Sequence, residues 1–351
     1  MGVRKAIHRA VSVLTSPASP EDYLQVINPL SSARQLRGVV TAVRREGTRS
    51  ATISIRPGRG WAPHLAGQWA RIGVEINGVR QWRSYSLSAP EGHDPEITVT
   101  AIGRVSSHLV QHTKVGDILF LAPPQGEFVL PTGPRPLLMI TAGSGITPVM
   151  SMLRTLVPKR RDADVVLVHS ARTEGEALFL DELRAMQRDY PGLHVVTRFT
   201  ATQGRLDFSD AAQVDAVCPD WRSRKAYVCG PIELLDDTEK FWANAGLPHG
   251  LQVERFAPAQ LVPSDTDGGR ITFARSDKEA VADGSTPILE VGEEAGVIMP
   301  SGCRMGICRT CLTPLVSGQV RDLRTGEIHA DEGELIQTCI TAAVGPVHLE
   351  I

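Results

Sequence analysis

Four cysteines near the end of the chain, Cys303, Cys308, Cys311 and Cys339, carry the most specific chemistry in the sequence. The first three read C-x4-C-x2-C, and the fourth follows 28 positions later. That is the ligand spacing of a plant-type [2Fe–2S] centre. Four thiolates must converge on two irons joined by two sulfides, so the loop must wrap the centre closely. Gly302 and Gly306 permit such a wrap. Zinc is the alternative, but structural zinc sites usually take two C-x2-C pairs and this chain offers one. Cys218 and Cys229 lie far upstream and are not candidate ligands.

A second constellation is Leu137–Pro148, which reads apolar strand, glycine-rich turn, helix start. Gly143 and Gly145 let the backbone approach a pyrophosphate, and the start of a helix, with Thr147 and Pro148 in its first turn, favours negative charge. The pattern is G-x-G-x-x-P rather than G-x-G-x-x-G, so a plain strand-to-helix turn stays open. At the end of the next strand an NAD site usually has an acid for the ribose hydroxyls. Here stand Ser170 and Arg172, with Arg205 in a later loop, which suit a 2′-phosphate and favour NADPH over NADH. The competing reading of Arg172 is a solvated loop charge.

Arg83-Ser84-Tyr85-Ser86 closes a strand-like run. Arg83 can hold a phosphate, Tyr85 can stack on a flat ring, and Ser86 can hydrogen-bond the ring's edge. Gly103, Val105, Ser106 and Ser107 form a further phosphate-cradling turn that opens a helix. Each of these signals alone is of low specificity.

The elements that must position these residues fall into three rhythms. Between Leu36 and Leu130, short β-branched runs (Val39–Val43, Ala51–Ile55, Trp69–Ile76, Ile97–Ala101) alternate with Gly and Pro clusters, and Asn77-Gly78 marks a two-residue hairpin. This predicts an antiparallel β-barrel. From Pro136 to about residue 260, strands (Leu137–Thr141, Asp164–His169, His194–Phe199, Ala226–Cys229) alternate with helices (Val149–Val157, Leu178–Asp189, Leu234–Ala245), which implies an α/β unit on a parallel sheet. Leu261–Gly269 reads as a linker. The last unit opens on strand Ile271–Ala274, holds short helices at Pro287–Ala295 and Asp331–Leu335, and closes on strand Pro346–Ile351. The expected division is a 1–34 extension, a 35–133 β-barrel, a 134–262 nucleotide domain and a 270–351 α+β [2Fe–2S] domain. Val3, Ile7, Val11 and Leu14 predict an amphipathic helix over 1–15, packed on the body or, as the less favoured reading, touching a membrane surface.

At roughly 100–200 residues per domain, the 351 residues hold two or three domains. A composition of 42% hydrophobic and 22% charged residues excludes a disordered or fibrous chain. A net charge of −2 argues against a nucleic-acid binder. The charge is uneven: residues 270–351 carry 12 acidic against 7 basic residues, an acidic unit suited to docking a basic partner. Sparse cysteines exclude a disulfide scaffold and point to a reducing compartment, no apolar run is long enough to span a membrane, and the N-terminus lacks a secretory signal. A cytoplasmic protein is expected.

The order of these motifs resembles the ferredoxin–NADP reductase superfamily, in its oxygenase-reductase branch with a fused C-terminal plant-type ferredoxin. The residues that carry the resemblance are Arg83-x-Tyr85-Ser86, Gly103-x-x-Ser106, Gly143-x-Gly145-x-x-Pro148, Cys229-Gly230-Pro231, Glu254-Arg255-Phe256 and the four cysteines. Asp22-Tyr23-Leu24, Asn28-Pro29-Leu30 and Leu36-Arg37-Gly38 are further similar to actinobacterial reductases that serve acyl-CoA desaturases. The resemblance implies that Arg83, Tyr85 and Ser86 bind a flavin with Ser86 near N5, and that Gly103–Ser107 hold the FAD pyrophosphate, with FMN as the alternative. It implies that Cys229 approaches the nicotinamide and that Glu254 and Phe256 lie near the flavin ring. The chain continues past Phe256, so whether this ring covers the flavin stays open.

The expected reaction is hydride transfer from NADPH to FAD, then single-electron steps through the [2Fe–2S] cluster to a separate protein. The expected acceptor is a membrane di-iron acyl desaturase or alkane hydroxylase; a soluble Rieske or di-iron monooxygenase is the alternative. No acid–base pair or nucleophilic triad is needed, so His64 and His108 read as structural or surface residues.

Overall fold

The computed structural model of the chain describes residues 28–31, 35–160, 162–256, 268–302, 304, 306 and 309–351. The expected helix at 1–15, most of the segment 22–30, the linker at 261–267, and the expected ligands Cys303 and Cys308 lie outside the described residues.

The first sheet is built from alternating runs. Strands β1 (Arg37–Glu46), β2 (Ser50–Pro57), β3 (Trp69–Ile76), β4 (Val79–Ser86), β5 (Glu96–Thr100) and β6 (Ile118–Leu121) pair antiparallel in the order β4-β3-β6-β1-β2-β5. A bridge between Leu87 and Ile97 joins the end of β4 to β5 and closes the sheet into a barrel. Its register is pinned by the β3–β4 hairpin, where Ile76 faces Val79. Asn77 and Gly78 take φ of 53° and 78°, the left-handed pair that a tight hairpin turn demands. Helix α1 (Arg104–His112) plugs the barrel with Val105, Leu109 and Val110, against Ile53, Ile72 and Ile97.

The second sheet is parallel. Strands β7 (Leu137–Ala142), β8 (Val165–Ala171), β9 (Leu193–Phe199), β10 (Lys225–Gly230) and β11 (Leu251–Arg255) run in the order β11-β10-β7-β8-β9. β7 and β8 are buried almost end to end, because helices cover both faces of such a sheet. These helices are α2 (Ile146–Lys159), α3 (Leu180–Asp189), α4 (Thr200–Gln203), α5 (Ala211–Val217) and α6 (Ile232–Asn244). The strand order reverses between β7 and β10, the place where open α/β sheets bind ligands. The turn Gly143–Gly145 sits there. A Cβ on Gly145 would lie 2.2 Å from the Cys229 carbonyl oxygen, so only glycine lets this turn close onto β10.

The third sheet contains β12 (Gly269–Phe273), β13 (Lys278–Ala282), β14 (Leu312–Asp322), β15 (Ile328–His329), β16 (Leu335–Gln337) and β17 (Thr341–Leu349), with helix α7 (Ile288–Glu294) packed on it. Three expectations are corrected. Asp331–Leu335 is not helical: a turn with Gly333 at φ 82° delivers Leu335 into β16, opposite Pro314. Five residues around a glycine cannot repay helix nucleation, whereas pairing with β14 satisfies the backbone. Gly269 opens β12 instead of closing a linker, and the last strand starts at Thr341 rather than Pro346.

Arg154 on α2 bolts the barrel to the parallel sheet. It bonds Glu96 on β5 at 2.7 Å, Glu182 on α3 through two 2.7 Å bonds, and the Ser88 carbonyl at 2.8 Å. Its guanidinium is largely buried, so removing it strands two carboxylates. Arg154→Ala is therefore expected to cost about 3 kcal/mol in denaturant unfolding. Arg184→Ala, which loses only exposed partners, should cost under about 1 kcal/mol.

Candidate functional site

A cleft of about 450 Å³ opens where the three sheets meet. β4 contributes Gln81, Arg83, Ser84, Tyr85 and Ser86; Gly103, Val105 and Ser106 come from the start of α1. The dinucleotide turn adds Ser144 and Thr147, the end of β11 adds Glu254, Arg255 and Phe256, and α7 adds Glu290, Glu293 and Glu294.

The polar lining fits a ligand with many acceptors. Among the described residues, the Oγ atoms of Ser84 and Ser86 and the Nε2 of Gln81 are buried without a hydrogen-bond partner. Orphaned polar atoms in a cavity wall mark where a bound molecule must supply the missing bonds. At the rim, Ser106 Oγ accepts from the backbone N–H groups of Ile102 and Gly103 at 3.0 Å each, which fixes the turn that opens α1. A Cβ added to Gly103 would meet nothing within 4 Å, so the cradle stands open. Burial pushes the Tyr85 hydroxyl far up, and the phenol stays neutral. These residues fit a group that pairs a flat ring with phosphates, as a flavin does.

Other expected residues lie near the cleft without bordering it. Cys229 is fully buried and stands in register between Thr141 on β7 and Glu254 on β11. Burial, reinforced by Glu254, pushes its thiol well up, so no thiolate forms there. Gly143, Gly145, Pro148, Gly230 and Pro231 shape the switch-point turns, and Ser107 caps the start of α1 through its N–H to the Gly103 carbonyl at 2.8 Å. Ser170, Arg172 and Arg205 gather further along the same sheet edge. Ser170 pairs in register with Ala142 on one side and Arg198 on the other. The Arg172 carbonyl takes the Ala201 N–H at 3.0 Å, while Arg198 holds the carbonyls of Gln203, Gly204 and Arg205. Exposed Arg172 and Arg205 thus share one end of the edge with Arg198, which the sequence reading passed over.

The cluster region shows two of its four cysteines. Cys311 and Cys339 are buried in the core of the third unit with their Sγ atoms 3.2 Å apart. The adjacent Cys339 thiol brings the Cys311 thiol down, the direction that favours a thiolate. Gly306 has φ 73°, and its carbonyl takes bonds from Gln337 at 3.0 Å and Arg324 at 3.4 Å. These donors anchor the loop that the sulfur-ligand spacing requires to be tight. Arg304, left-handed at φ 61°, is held by a two-pronged ion pair to buried Glu293.

The profile of the oxidoreductase NAD-binding domain matches residues 139–240, and that of the 2Fe-2S iron-sulfur cluster binding domain matches 271–344. The chain is 46% identical to an NADPH oxidoreductase of Mycobacterium tuberculosis, over 99% of this chain and 92% of that protein. The chain belongs to the ferredoxin–NADP reductase superfamily, in the oxygenase-reductase branch with a C-terminal [2Fe–2S] domain. It is also 30% identical to the ferredoxin reductase component of a 3-ketosteroid-9-alpha-monooxygenase of Rhodococcus rhodochrous, over 68% of this chain and 72% of that one. The solved phthalate dioxygenase reductase covers 91% of this chain and 98% of its own, with a TM-score of 0.68 at 24% identity, and shares the fold. The chain is accordingly an NAD(P)H-dependent oxidoreductase with a [2Fe–2S] cluster-binding domain.

Sequence patterns missed Glu254's electrostatics. Burial pushes its carboxyl up to about 8, so it is protonated at neutral pH and can donate a hydrogen bond into the cleft. In the flavin-free chain the unfolded state loses this proton near pH 4.5 and the folded state near pH 8. Stability should therefore fall as pH rises through that window, by up to about 1.4 kcal/mol per pH unit, and level off above it. Glu254→Gln should flatten this part of the pH–stability curve, as read by urea midpoints.

Proposed function

We propose that the chain passes electrons from NADPH through FAD and the [2Fe–2S] cluster to a separate terminal oxygenase or desaturase. The observation that supports this best is the composition of the cleft. Its walls come from the flavin motif, the dinucleotide turn and the helix beside the cluster loop, so three carriers share one neighbourhood. Flavin and cluster, when bound, supply the conversion of two electrons delivered together into two delivered singly.

The chain's own residues bind and orient. Arg83 and the turn Gly103–Ser107 hold phosphate, Tyr85 stacks, and Ser86 Oγ–H meets the ring edge. Protonated Glu254 and the Phe256 side chain border the face from which the nicotinamide arrives, with Cys229 behind it. Gly143, Gly145, Thr147 and Pro148 shape the pyrophosphate turn; Gly230 and Pro231 back it. Cys303, Cys308, Cys311 and Cys339 ligate the irons. The functional units are the barrel at 35–133, the nucleotide domain at 134–262 and the cluster domain at 270–351, after an N-terminal extension at 1–34.

The preferred acceptor is a membrane di-iron acyl desaturase or alkane hydroxylase, on the strength of the acidic third unit and the basic N-terminus, with the protein itself cytoplasmic. Among the described residues, no helix is long and apolar enough to cross a membrane. The second reading, a soluble oxygenase, is favoured by the monooxygenase relative. Pull-down from the source cell followed by reconstituted turnover separates them: NADPH consumption coupled to product formation must appear with one identified acceptor class.

Cys308→Ser should abolish NADPH-driven cytochrome c reduction and spare ferricyanide reduction, since only the former needs the one-electron exit. Equal loss of both would refute the electron order. For nucleotide choice, Arg172→Ala with Arg205→Ala should lower kcat/KM for NADPH by about 10- to 100-fold and leave NADH within about twofold.

A further inference from the structure

The cleft that is to receive an anionic phosphate chain is bordered by three carboxylates. Glu290 meets Arg83 at 3.2 Å, Glu293 meets the same guanidinium at 3.6 Å, and Glu294 meets Arg104 at 3.6 Å. All three come from α7 of the third unit. Arg83 and Arg104 are the cations that flank the Gly103 cradle, so the third unit neutralises the charge the barrel offers to phosphate. Glu293 also has its own cation in Arg304, whereas half-buried Glu290 and exposed Glu294 have no second ion-pair partner among the described residues.

We infer that Glu290 and Glu294 are part of the flavin site, acting as counter-ions that compete with the flavin's phosphate groups for Arg83 and Arg104. Docking of the third unit and loading of flavin phosphate then oppose each other. The opposition is reciprocal, because each partner's effect on the other is one coupling free energy. The third unit keeps a carboxylate-independent hold through the Arg71 side chain, which donates to the Ser301 carbonyl, so it need not leave when phosphate enters. The inference rests on the flavin reading above and adds an affinity-setting role for a domain that binds a different cofactor.

The test is a titration of the flavin-free, cluster-loaded full chain with FAD and, separately, with riboflavin, which has the ring and no phosphate. Flavin fluorescence quenching reads the dissociation constant. Glu290→Gln with Glu294→Gln should bind FAD at least about threefold more tightly than the unaltered chain, since two like charges are removed. Riboflavin affinity should change by less than about 1.5-fold on the same scale. Glu294→Gln alone, at an exposed position that no fold depends on, should give a smaller shift of the same sign. Cluster absorption at unchanged intensity shows that the third unit is intact. Unchanged or weaker FAD binding overturns the inference. So does an equal change for FAD and riboflavin, which would mean that the substitutions reshape the ring pocket. Failure of the unaltered chain to bind either flavin would instead overturn the functional reading itself.

Discussion

One guanidinium joins the flank of the cleft to the third unit. Arg83 is largely withdrawn from water, and burial lowers its affinity for a proton, with nearby Arg304 adding repulsion. A cation so placed needs carboxylates, and the barrel strand that carries it supplies only the Trp82 carbonyl, at 2.9 Å. Its carboxylate partners, Glu290 and Glu293, come from a helix some two hundred residues onward. That helix is fixed at its other side as well: the Leu289 N–H bonds the Thr338 carbonyl at 2.9 Å, next to the proposed cluster ligand Cys339. Together with Arg104 on Glu294 and Arg71 on the Ser301 carbonyl, Arg83 therefore holds α7 of the third unit against the barrel.

Around this contact, polarity is arranged by burial rather than by formal charge. Glu254 is neutral at pH 7 because it is desolvated, and Cys229 beside it remains a thiol for the same reason. Beneath the dinucleotide turn, Thr141 Oγ1 and His169 Nδ1 lie 2.8 Å apart, and burial brings His169 down to about 4, so the imidazole is neutral. His64 is likewise a buried structural residue bonded to the Ala89 carbonyl at 3.1 Å. Glu254, Cys229 and His169 are thus uncharged groups on the parallel sheet, while the carboxylates of α7 stay paired with Arg83, Arg104 and Arg304.

Local features were legible in the sequence because local physics determines them. Asn77-Gly78 requires a turn whatever surrounds it, the Gly143–Pro148 run requires a close approach, and the cysteine spacing is a property of the loop itself. Asp331–Leu335 misled because its composition is compatible with a helix, while the bond partner that decided the matter, β14, lies elsewhere in the chain. Cooperation between Arg83 and α7 had no sequence signal at all, since neither residue type nor spacing announces a pairing over that separation. Ser84 and Gln81 were similarly silent: orphaned side chains become visible only once burial is known.

The parallel sheet adds a constraint on how a dinucleotide lies. In the order β11-β10-β7-β8-β9, the strand ends present Glu254, Cys229, the Gly143 turn, Ser170 and Arg198 in sequence. Four strand spacings of about 4.8 Å separate the first from the last, roughly 19 Å in all. On the proposed reading the pyrophosphate rests at the middle of this edge, at the switch point. The reactive ring then has to run toward Glu254 and the cleft, and the adenosine phosphate toward Arg172 and Arg205. The reverse orientation would place a phosphate beside a desolvated carboxyl and leave the basic end of the edge without an anion. On that reading, strand order orients the two ends of the nucleotide before any contact with the ligand is considered.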